Sequence, residues 1–282
     1  MNLVNFRDIL ITLLLHGGGL RQSEPFHIYF DDIQLDPVLS RQVGEEVALV
    51  RIYHPSEGAI PTHMVTHFNK SSLIKDRESF LIYQYGLKPR THYVTESLRA
   101  GWKTTQHDSQ HDKYIQVHWF PVSFGILFYK IWKLYILSLQ THRFSLSHPF
   151  AFVALTGKHK GKPLSISAFR QNHKAAEERI GLSAAKEYGT TPHGHRHAYG
   201  QRMVECDVAP LIRKKALHHR SIESQLVYTQ PSYHKVNDCL RTASVNLDHS
   251  QYEFENLWPN LEHGFADVDP LGLMSGSHPQ LS

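Results

Sequence analysis

The chain has 282 residues, of which 41% are hydrophobic, so it is long enough to fold around a substantial core. Its formal net charge of +4 is compatible with a nucleic-acid partner but does not require one, because charge alone does not distinguish nucleic-acid enzymes from others. Two cysteines cannot supply a disulfide framework for a chain of this size, which argues against a disulfide-rich secreted protein.

The sequence begins without a charged-then-apolar leader that ends in a small-residue cleavage site, so we expect a cytoplasmic protein. Its two most apolar segments are residues 9–15 and 126–139. The first is shorter than the roughly 20 residues that cross a bilayer, and the second contains Lys130 and Lys133. We therefore predict core helices and no membrane partner.

The first elements in chain order are a helix over 6–16 and a shorter helix over 21–35. Three glycines at 17–19 end the first helix, because glycine adopts positive φ readily. Residues 47–53 have the β-branched content of a strand. The polar segment 54–112 has no sustained period, and we predict an irregular insertion with short helices.

Residues 114–120 alternate as a strand does, and 124–140 form an aromatic-rich helix. A basic turn over 157–162 leads into an amphipathic helix at 164–180. Further helices are predicted at 193–206, 209–218 and 221–228. The predicted fold class is therefore mainly α with a small β-sheet, in a domain over 1–235 that is followed by an acidic, partly disordered tail over 236–282.

Three separated segments contain residues suited to phosphodiester chemistry. Arg21 and Glu24 are three apart, so on a helix the carboxylate would orient a guanidinium whose fork matches two phosphate oxygens. A surface salt bridge is the alternative interpretation. His193 and Arg196 repeat this spacing near a predicted helix start, and His219 precedes a predicted helix that Tyr228 closes.

A zinc site made from His193, His195 and His197 is the alternative for the second segment, since histidine is the commonest metal-ligating side chain. Their spacings of two and four suit a strand and a helix respectively, so three ligands do not converge easily from one helix. A tyrosine at a helix end, taken alone, is usually a packing residue. The joint occurrence of the segments is what favours catalysis.

In combination these segments resemble the tyrosine recombinase, or phage integrase, family. Its pattern runs Gly-Leu-Arg-x-x-Glu, then His-x-x-Arg-His, then Leu-Gly-His-x-Ser, with a tyrosine nine positions after that last histidine. The same order appears here, and Tyr228 lies nine positions after His219. Residues 161–165 (Gly-Lys-Pro-Leu-Ser) also resemble the family's segment before the second box, and the whole match spans about residues 6–232.

The resemblance implies a role for each matching residue. Arg21 and Arg196 would clamp the scissile phosphate, and Glu24 would orient Arg21. His193 would take part in proton transfer, and His219 would hydrogen-bond a non-bridging phosphate oxygen. Tyr228 would attack phosphorus and give a 3′-phosphotyrosyl link, so no cofactor or metal is expected.

The family's remaining catalytic residue is a lysine in a β-hairpin turn, which acts as general acid on the leaving 5′-oxygen. We assign it to Lys103, which precedes the strand at 114–120, with Lys113 as the alternative. The segment 54–112 makes the distance from Arg21 longer than the family's usual spacing. At position 218 the chain has histidine where the family usually has glycine.

The resemblance also implies double-stranded DNA as partner, self-association into a tetrameric synapse on DNA, accessory mobile-element proteins and a bacterial source. Four lysines are candidate DNA contacts: Lys158, Lys160, Lys162 and Lys214. Family members usually carry an N-terminal helical domain that clamps the opposite DNA face, and no room for it precedes residue 6. We therefore expect a fragment or a variant that consists of the catalytic domain.

Two other functions are consistent with the residues. A type IB topoisomerase uses the same arginine, lysine, histidine and tyrosine chemistry to relax DNA without exchanging partners, although the boxes are closer to those of a recombinase. A truncated DNA-binding remnant without autonomous activity is the second alternative.

Overall fold

The computed structural model describes residues 3–60, 73–94, 98–141 and 146–219, with side chains described from residue 6. The predicted helix at 221–228 and the predicted tail at 236–282 lie outside the described residues, as does Tyr228. The described part contains seven α-helices and one three-stranded antiparallel sheet. The predicted fold class, mainly α with a small β-sheet, is confirmed.

Helix α1, Leu3–His16, lies at the centre of the core. Leu10, Ile11, Leu14 and Leu15 are fully buried because the helix is covered on several sides. It packs against two later helices, α4 (Ser123–Thr141) and α6 (Pro192–Glu205). The turn that ends α1 is therefore held close to the start of α6, which matters for the site described below.

The glycines after α1 allow this close approach. Gly19 has φ +67°, and a Cβ at this position would overlap the ring of Tyr199. A side chain is thus excluded both by backbone conformation and by space. The stop that the sequence predicts after residue 16 is confirmed.

The sheet is formed by β1 (Ile33–Leu35), β2 (Ala48–Tyr53) and β3 (Tyr114–Gln116), in that order. Ile33 pairs with Val50, and Arg51 pairs with Gln116. β3 is shorter than the predicted strand at 114–120. Beyond Gln116 the backbone N–H of Val117 donates to the carbonyl of Val50 at 2.9 Å, and the indole of Trp119 then donates to the carbonyl of Ala48 at 2.6 Å.

The predicted helix over 21–35 is wrong. This stretch contains two 3₁₀ turns, Glu24–His27 and Phe30–Asp32, followed by β1. Side chains and a distant segment take the backbone donors that a helix would use. Asp32 accepts the N–H of Tyr29 at 2.7 Å, and the carbonyl of Pro149 accepts the N–H of Phe30 at 3.1 Å.

Short elements occupy the described parts of the segment 54–112, as predicted. They are α3 (Arg77–Phe80), a π-helical turn (Leu81–Tyr85) and a 3₁₀ turn (Arg90–His92). The segment is not a surface appendage, because Phe80 and Leu81 are buried in a cluster with Tyr29 and Phe150. This cluster joins the connection between β2 and β3 to the body of the protein.

Four further helices agree closely with the predictions. They are α4, α5 (Ile166–Arg179), α6 and α7 (Pro210–Ala216). Helix α2 (Pro37–Val43) was not predicted. Ser165 caps α5 by accepting the N–H of Ala168 at 3.1 Å. Among the described residues, no helix combines the length and the apolar character that a membrane span requires.

Candidate active site

Arg21 lies in the turn after α1, and a buried carboxylate holds it in place. Its Nη1 donates to Oε1 of Glu24 at 2.8 Å, and its backbone N–H donates to Oε2 at 2.7 Å. The Arg21 side chain is 24% exposed whereas that of Glu24 is fully buried. The sequence had indicated that Arg21 and Glu24 share one face of a helix. They do not, because Arg21 precedes the 3₁₀ turn. The carboxylate nevertheless contacts the guanidinium directly.

Thr104 is the third member of this arrangement. Its Oγ1 accepts from Nη1 of Arg21 at 2.8 Å and donates to Oε1 of Glu24 at 2.7 Å. Burial by itself raises the pKa of Glu24, but Arg21, Arg196 and these hydrogen bonds outweigh it, so the net pKa lies below its usual value. Glu24 is therefore a charged carboxylate inside the protein.

Arg196 projects from α6 and is 1% exposed. Its two terminal nitrogens donate to backbone carbonyls, Nη1 to that of Gly19 and Nη2 to that of Leu217 at 2.5 Å. Nη2 of Arg21 donates to the carbonyl of the next residue, His218, at 3.3 Å. Three segments that are far apart in the sequence thus meet around two guanidinium groups.

His219 follows directly and is 4% exposed. Burial, and then the charges of Arg196 and Arg21, lower its pKa to about 3. The imidazole is thus neutral at physiological pH, which leaves it able to donate one hydrogen bond and to accept another.

His193 is in the first turn of α6 and is exposed. Partial burial of its ring, then the positive charges of Arg196 and Lys186, and more weakly those of Arg21 and Lys103, lower its pKa. A cation-rich environment of this kind keeps an imidazole neutral and able to accept a proton.

His195 points away from His193 and His197. The rings of His193 and His197 meet edge to face at 4.5 Å, whereas His195 contacts His16 and His173. The three imidazoles of this segment therefore do not face a common point. This geometry does not match the zinc site considered from their spacing.

The two candidate lysines have different surroundings. Lys103 is exposed, directly precedes Thr104 and contributes to the lowered pKa of His193, so it lies on the side of the arginine cluster. Lys113 pairs with Glu57 at the turn that leads into β3. Both belong to the connection between β2 and β3.

The candidate DNA-contacting lysines lie in two separate regions, one around the turn Gly157–His159 and the other on α7. Lys158 and Lys162 are exposed around the turn Gly157–His159, and Lys162 lines a cavity with Arg7 and Arg90. Lys214 is on α7, and its carbonyl accepts the N–H of His219 at 3.0 Å. Lys160 is exposed in the same turn region as Lys158.

Sequence reasoning missed Thr104 and the carbonyl groups of Gly19 and Leu217. A threonine after a candidate lysine is a weak signal, and a backbone carbonyl has no signal in a residue pattern. Their roles come from a tertiary arrangement that brings α1, α6 and α7 together.

Comparison of the sequence with protein-family models and with curated proteins finds no match. Solved structures give matches of 12–14% identity. One is the XerH site-specific recombinase bound to palindromic difH substrate in a post-cleavage complex, with 13% identity and a TM-score of 0.49. The match covers 85% of this chain and 46% of that chain.

The XerA recombinase has a TM-score of 0.48 and 12% identity, over 85% of this chain and 57% of that one. The Tn1549 transposon integrase in complex with transposon right end DNA has a TM-score of 0.38 and 12% identity, over 84% and 58%. The chain thus spans about half the length of these structures.

Proposed function

We propose that this chain contains a tyrosine recombinase catalytic domain, over residues 1–235, that cleaves and rejoins DNA. The observation that carries the proposal is the meeting of Arg21 and Arg196 beside neutral His219. Their guanidinium groups come from the two ends of the described chain and are held by Glu24 and by the carbonyls of Gly19, Leu217 and His218.

This arrangement fits a phosphodiester in its charge and in its donors. The fork of a guanidinium matches two phosphate oxygens. Because the fold already holds these guanidinium groups in position, they need little reorganisation as charge develops in the transition state. Arg21 is the partly exposed member and would meet the phosphate first, whereas buried Arg196 would complete the clamp. His219 would donate a hydrogen bond to a non-bridging oxygen.

In the proposed reaction the hydroxyl oxygen of Tyr228 attacks phosphorus while the bond to the 5′-oxygen breaks. The tyrosine proton passes to His193, and Lys103 donates a proton to the leaving 5′-oxygen. The products are a 3′-phosphotyrosyl link and a free 5′-hydroxyl. Attack by a 5′-hydroxyl on that link reverses the step, so the energy of the phosphodiester bond is conserved and no nucleotide cofactor is consumed.

The partner of this chemistry is double-stranded DNA. Exposed lysines at 158, 160 and 162 and Lys214 on α7 would contact phosphates away from the scissile bond. Recombination between two sites also requires assembly of several subunits on DNA, and we propose that this chain acts with copies of itself and with accessory mobile-element proteins.

Covalent trapping tests the proposal. The full chain is incubated with nicked duplexes that tile the genomic DNA flanking its gene, in which cleavage next to the nick releases a short strand and prevents rejoining. We expect a protein–DNA adduct that survives denaturation and that is absent from Tyr228→Phe, since only the phenolic oxygen is lost. Tyr188→Phe, which alters an exposed tyrosine, is the matched control and should form the adduct.

Adducts that persist in Tyr228→Phe would disprove the assignment of the nucleophile. Failure of every duplex to form an adduct, with DNA binding retained, would instead favour the DNA-binding remnant. Relaxation of a supercoiled plasmid without any site requirement would favour a topoisomerase.

A further inference from the structure

Beside the arginine cluster, Asp108, His118 and His218 bring their side chains together. Asp108 precedes β3, His118 follows it, and His218 follows α7. One ligand atom of each lies within 4.8 Å of the others. Three separate parts of the chain therefore place two imidazoles and a carboxylate at one point, and the sequence analysis assigned none of the three to a site.

The backbone at His218 adopts an unfavourable conformation that directs its side chain inward. Its φ is +50°, a region that a residue with a Cβ rarely occupies. The side chain is nevertheless 4% exposed; within the described part of the chain Nδ1 has no hydrogen-bond partner, and Nε2 makes a long contact of 3.4 Å with Oδ2 of Asp108 that does not meet hydrogen-bond geometry. A buried imidazole without a well-formed hydrogen bond is costly, so a ligand that binds one of its nitrogens would stabilise the arrangement.

The distance from His218 to Asp108 suits a shared metal ion. Nε2 of His218 lies 3.4 Å from Oδ2 of Asp108. Two ligands that each lie about 2.0–2.1 Å from a tetrahedral zinc ion are separated by about 3.3 Å. The same Oδ2 accepts the backbone N–H of Gln116 at 2.7 Å, which orients the carboxylate, while Oδ1 faces Lys215.

His118 supplies the third ligand. Its Nε2 is buried and has no hydrogen-bond partner within the described part of the chain, and its ring stacks on that of His218 at 6.2 Å between centroids. The hydroxyl of Tyr199 donates to the carbonyl of His118 at 2.6 Å and holds its backbone. For an ion to bind all three ligands, the His118 ring must move closer to the Asp108–His218 pair.

A cavity of about 200 Å³ opens beside Asp108 and His218 and is lined also by Gln106, His107 and Gln110. It has room for a water molecule in a fourth position. Two imidazoles, one carboxylate and a water are a ligand set that zinc and related divalent transition metals prefer.

A second group of potential ligands, His173, Glu177 and His195, does not need an ion. Arg202 donates to Nε2 of His16 at 2.9 Å, so His16 donates from Nδ1 to His195 at 3.2 Å. His195 then donates from Nε2 to His173 at 2.8 Å. Hydrogen bonds thus account for these imidazoles, in contrast to His118 and His218.

We propose that Asp108, His118 and His218 form a binding site for a divalent transition metal ion of the zinc class. The ion would fix the turn over 217–219, whose carbonyls hold Arg196 and Arg21 and which carries His219. Its role is therefore to position the candidate active site and not to contact the scissile phosphate. Metal binding is measured without DNA, so its outcome does not depend on the proposed DNA chemistry.

The test uses the full chain after removal of metal with a chelator. Zn²⁺ is titrated in competition with a chromophoric chelator, and Co²⁺ is added separately to record its ligand-field absorption. We expect one tight site with a Kd below about 1 µM, which distinguishes it from weak binding by scattered surface histidines. The Co²⁺ spectrum should show the strong visible bands of a tetrahedral site.

The variants separate this site from others in a histidine-rich chain. His218→Gly removes one ligand and suits positive φ, and Asp108→Asn removes the carboxylate charge without changing shape. Each should weaken tight binding by about 100-fold or more. His159→Gln, at an exposed histidine elsewhere, and Glu177→Gln, in the second cluster, should bind as the unaltered chain does.

Thermal unfolding supplies a second measurement. Zn²⁺ at about 100 times its Kd should raise the Tm of the unaltered chain by roughly 5–10 °C and leave that of His218→Gly unchanged. Absence of a tight site, or a site that survives in both His218→Gly and Asp108→Asn, would overturn the proposal. Loss of the site in Glu177→Gln with retention in Asp108→Asn would transfer it to the second cluster and likewise overturn it.

Discussion

Lys103 and Lys113 lie in the same connection between β2 and β3 but have different partners. Lys113 pairs with Glu57, whereas Lys103 adjoins Thr104, which bonds both Arg21 and Glu24. A general acid must reach the leaving oxygen, and an ammonium that a carboxylate already holds elsewhere is poorly placed for it. The surroundings therefore support Lys103 as the general acid of the proposed reaction.

Sulfur substitution tests this assignment. In a duplex with sulfur in place of the bridging 5′-oxygen, the leaving group is a thiolate that needs no protonation. This substrate should therefore restore cleavage by Lys103→Ala to within about tenfold of the unaltered chain. Arg196→Ala should not be rescued, because it removes stabilisation of charge on the phosphate and costs about 10²–10³ in rate. Cleavage is followed by strand release in single turnover.

Lys113→Ala is the matched comparison, since it removes an ammonium from the same connection. It should cleave the normal duplex at nearly the rate of the unaltered chain. A defect in Lys113→Ala that the sulfur substrate repairs, together with a normal Lys103→Ala, would reassign the general acid to Lys113.

A buried ion pair joins the connection between β2 and β3 to the rest of the fold. Arg77 at the start of α3 donates from Nη1 to Oδ2 of Asp32 at 2.8 Å, and both side chains are 1% exposed. The guanidinium also lies 4.1 Å from the ring centroids of Tyr29 and Tyr53. Arg77 thereby links α3 to the 3₁₀ turn before β1.

Arg77→Met should destabilise the fold by about 3–5 kcal/mol, because it leaves the Asp32 carboxylate buried without its counter-ion. Urea unfolding measures the free energy. The double variant Arg77→Met/Asp32→Asn should lose less than the sum of the two single variants, since the uncompensated charge is then absent. Additive losses, or a loss below about 1 kcal/mol in Arg77→Met, would show that the pair does not anchor this connection.

At the scale of the whole molecule, several buried histidines link stability to pH. Burial is the main cause that lowers the pKa of His27 to about 3 and that of His148 to about 4. Burial likewise lowers the pKa of His195 to about 3, with further contributions from His173 and His16. The folded state keeps these rings neutral at pH values where the unfolded chain protonates them.

The direction of this pH dependence follows from the number of protons that the folded and unfolded states bind. Between about pH 6.5 and these lowered pKa values the unfolded chain binds more protons, so stability is lost as pH falls through 6.5. From pH 7.5 to 5.5 each such histidine should cost about 1.4 kcal/mol. Urea unfolding at both pH values tests this expectation.

His27→Gln should reduce the loss of stability between pH 7.5 and 5.5 by about 1.4 kcal/mol, the contribution of one histidine. His159→Gln, at an exposed histidine, should leave that loss unchanged. Stability that stays constant or rises between pH 7.5 and 5.5 would contradict the neutral state of these buried rings.

The sequence alone indicated most of the elements, because their signals are local. The leucines of α1, the glycines that follow it, and the cap of α5 at Ser165 all act within a few residues. The boxes that carry Arg21, Arg196 and His219 were also visible as residue patterns. The helix predicted over 21–35 failed because Asp32 and Pro149 take its backbone donors, and the distant partner leaves no periodic signal.

The tertiary structure decided how these pieces meet. Local patterns do not show that the carbonyls of Gly19 and Leu217 hold Arg196, because a backbone carbonyl is present at every residue and only packing of α1, α6 and α7 selects two of them. The grouping of Asp108, His118 and His218 arose in the same way. The sequence thus determined which side chains are available for chemistry, and long-range packing determined which of them share a site, since contacts between distant segments depend on the whole core.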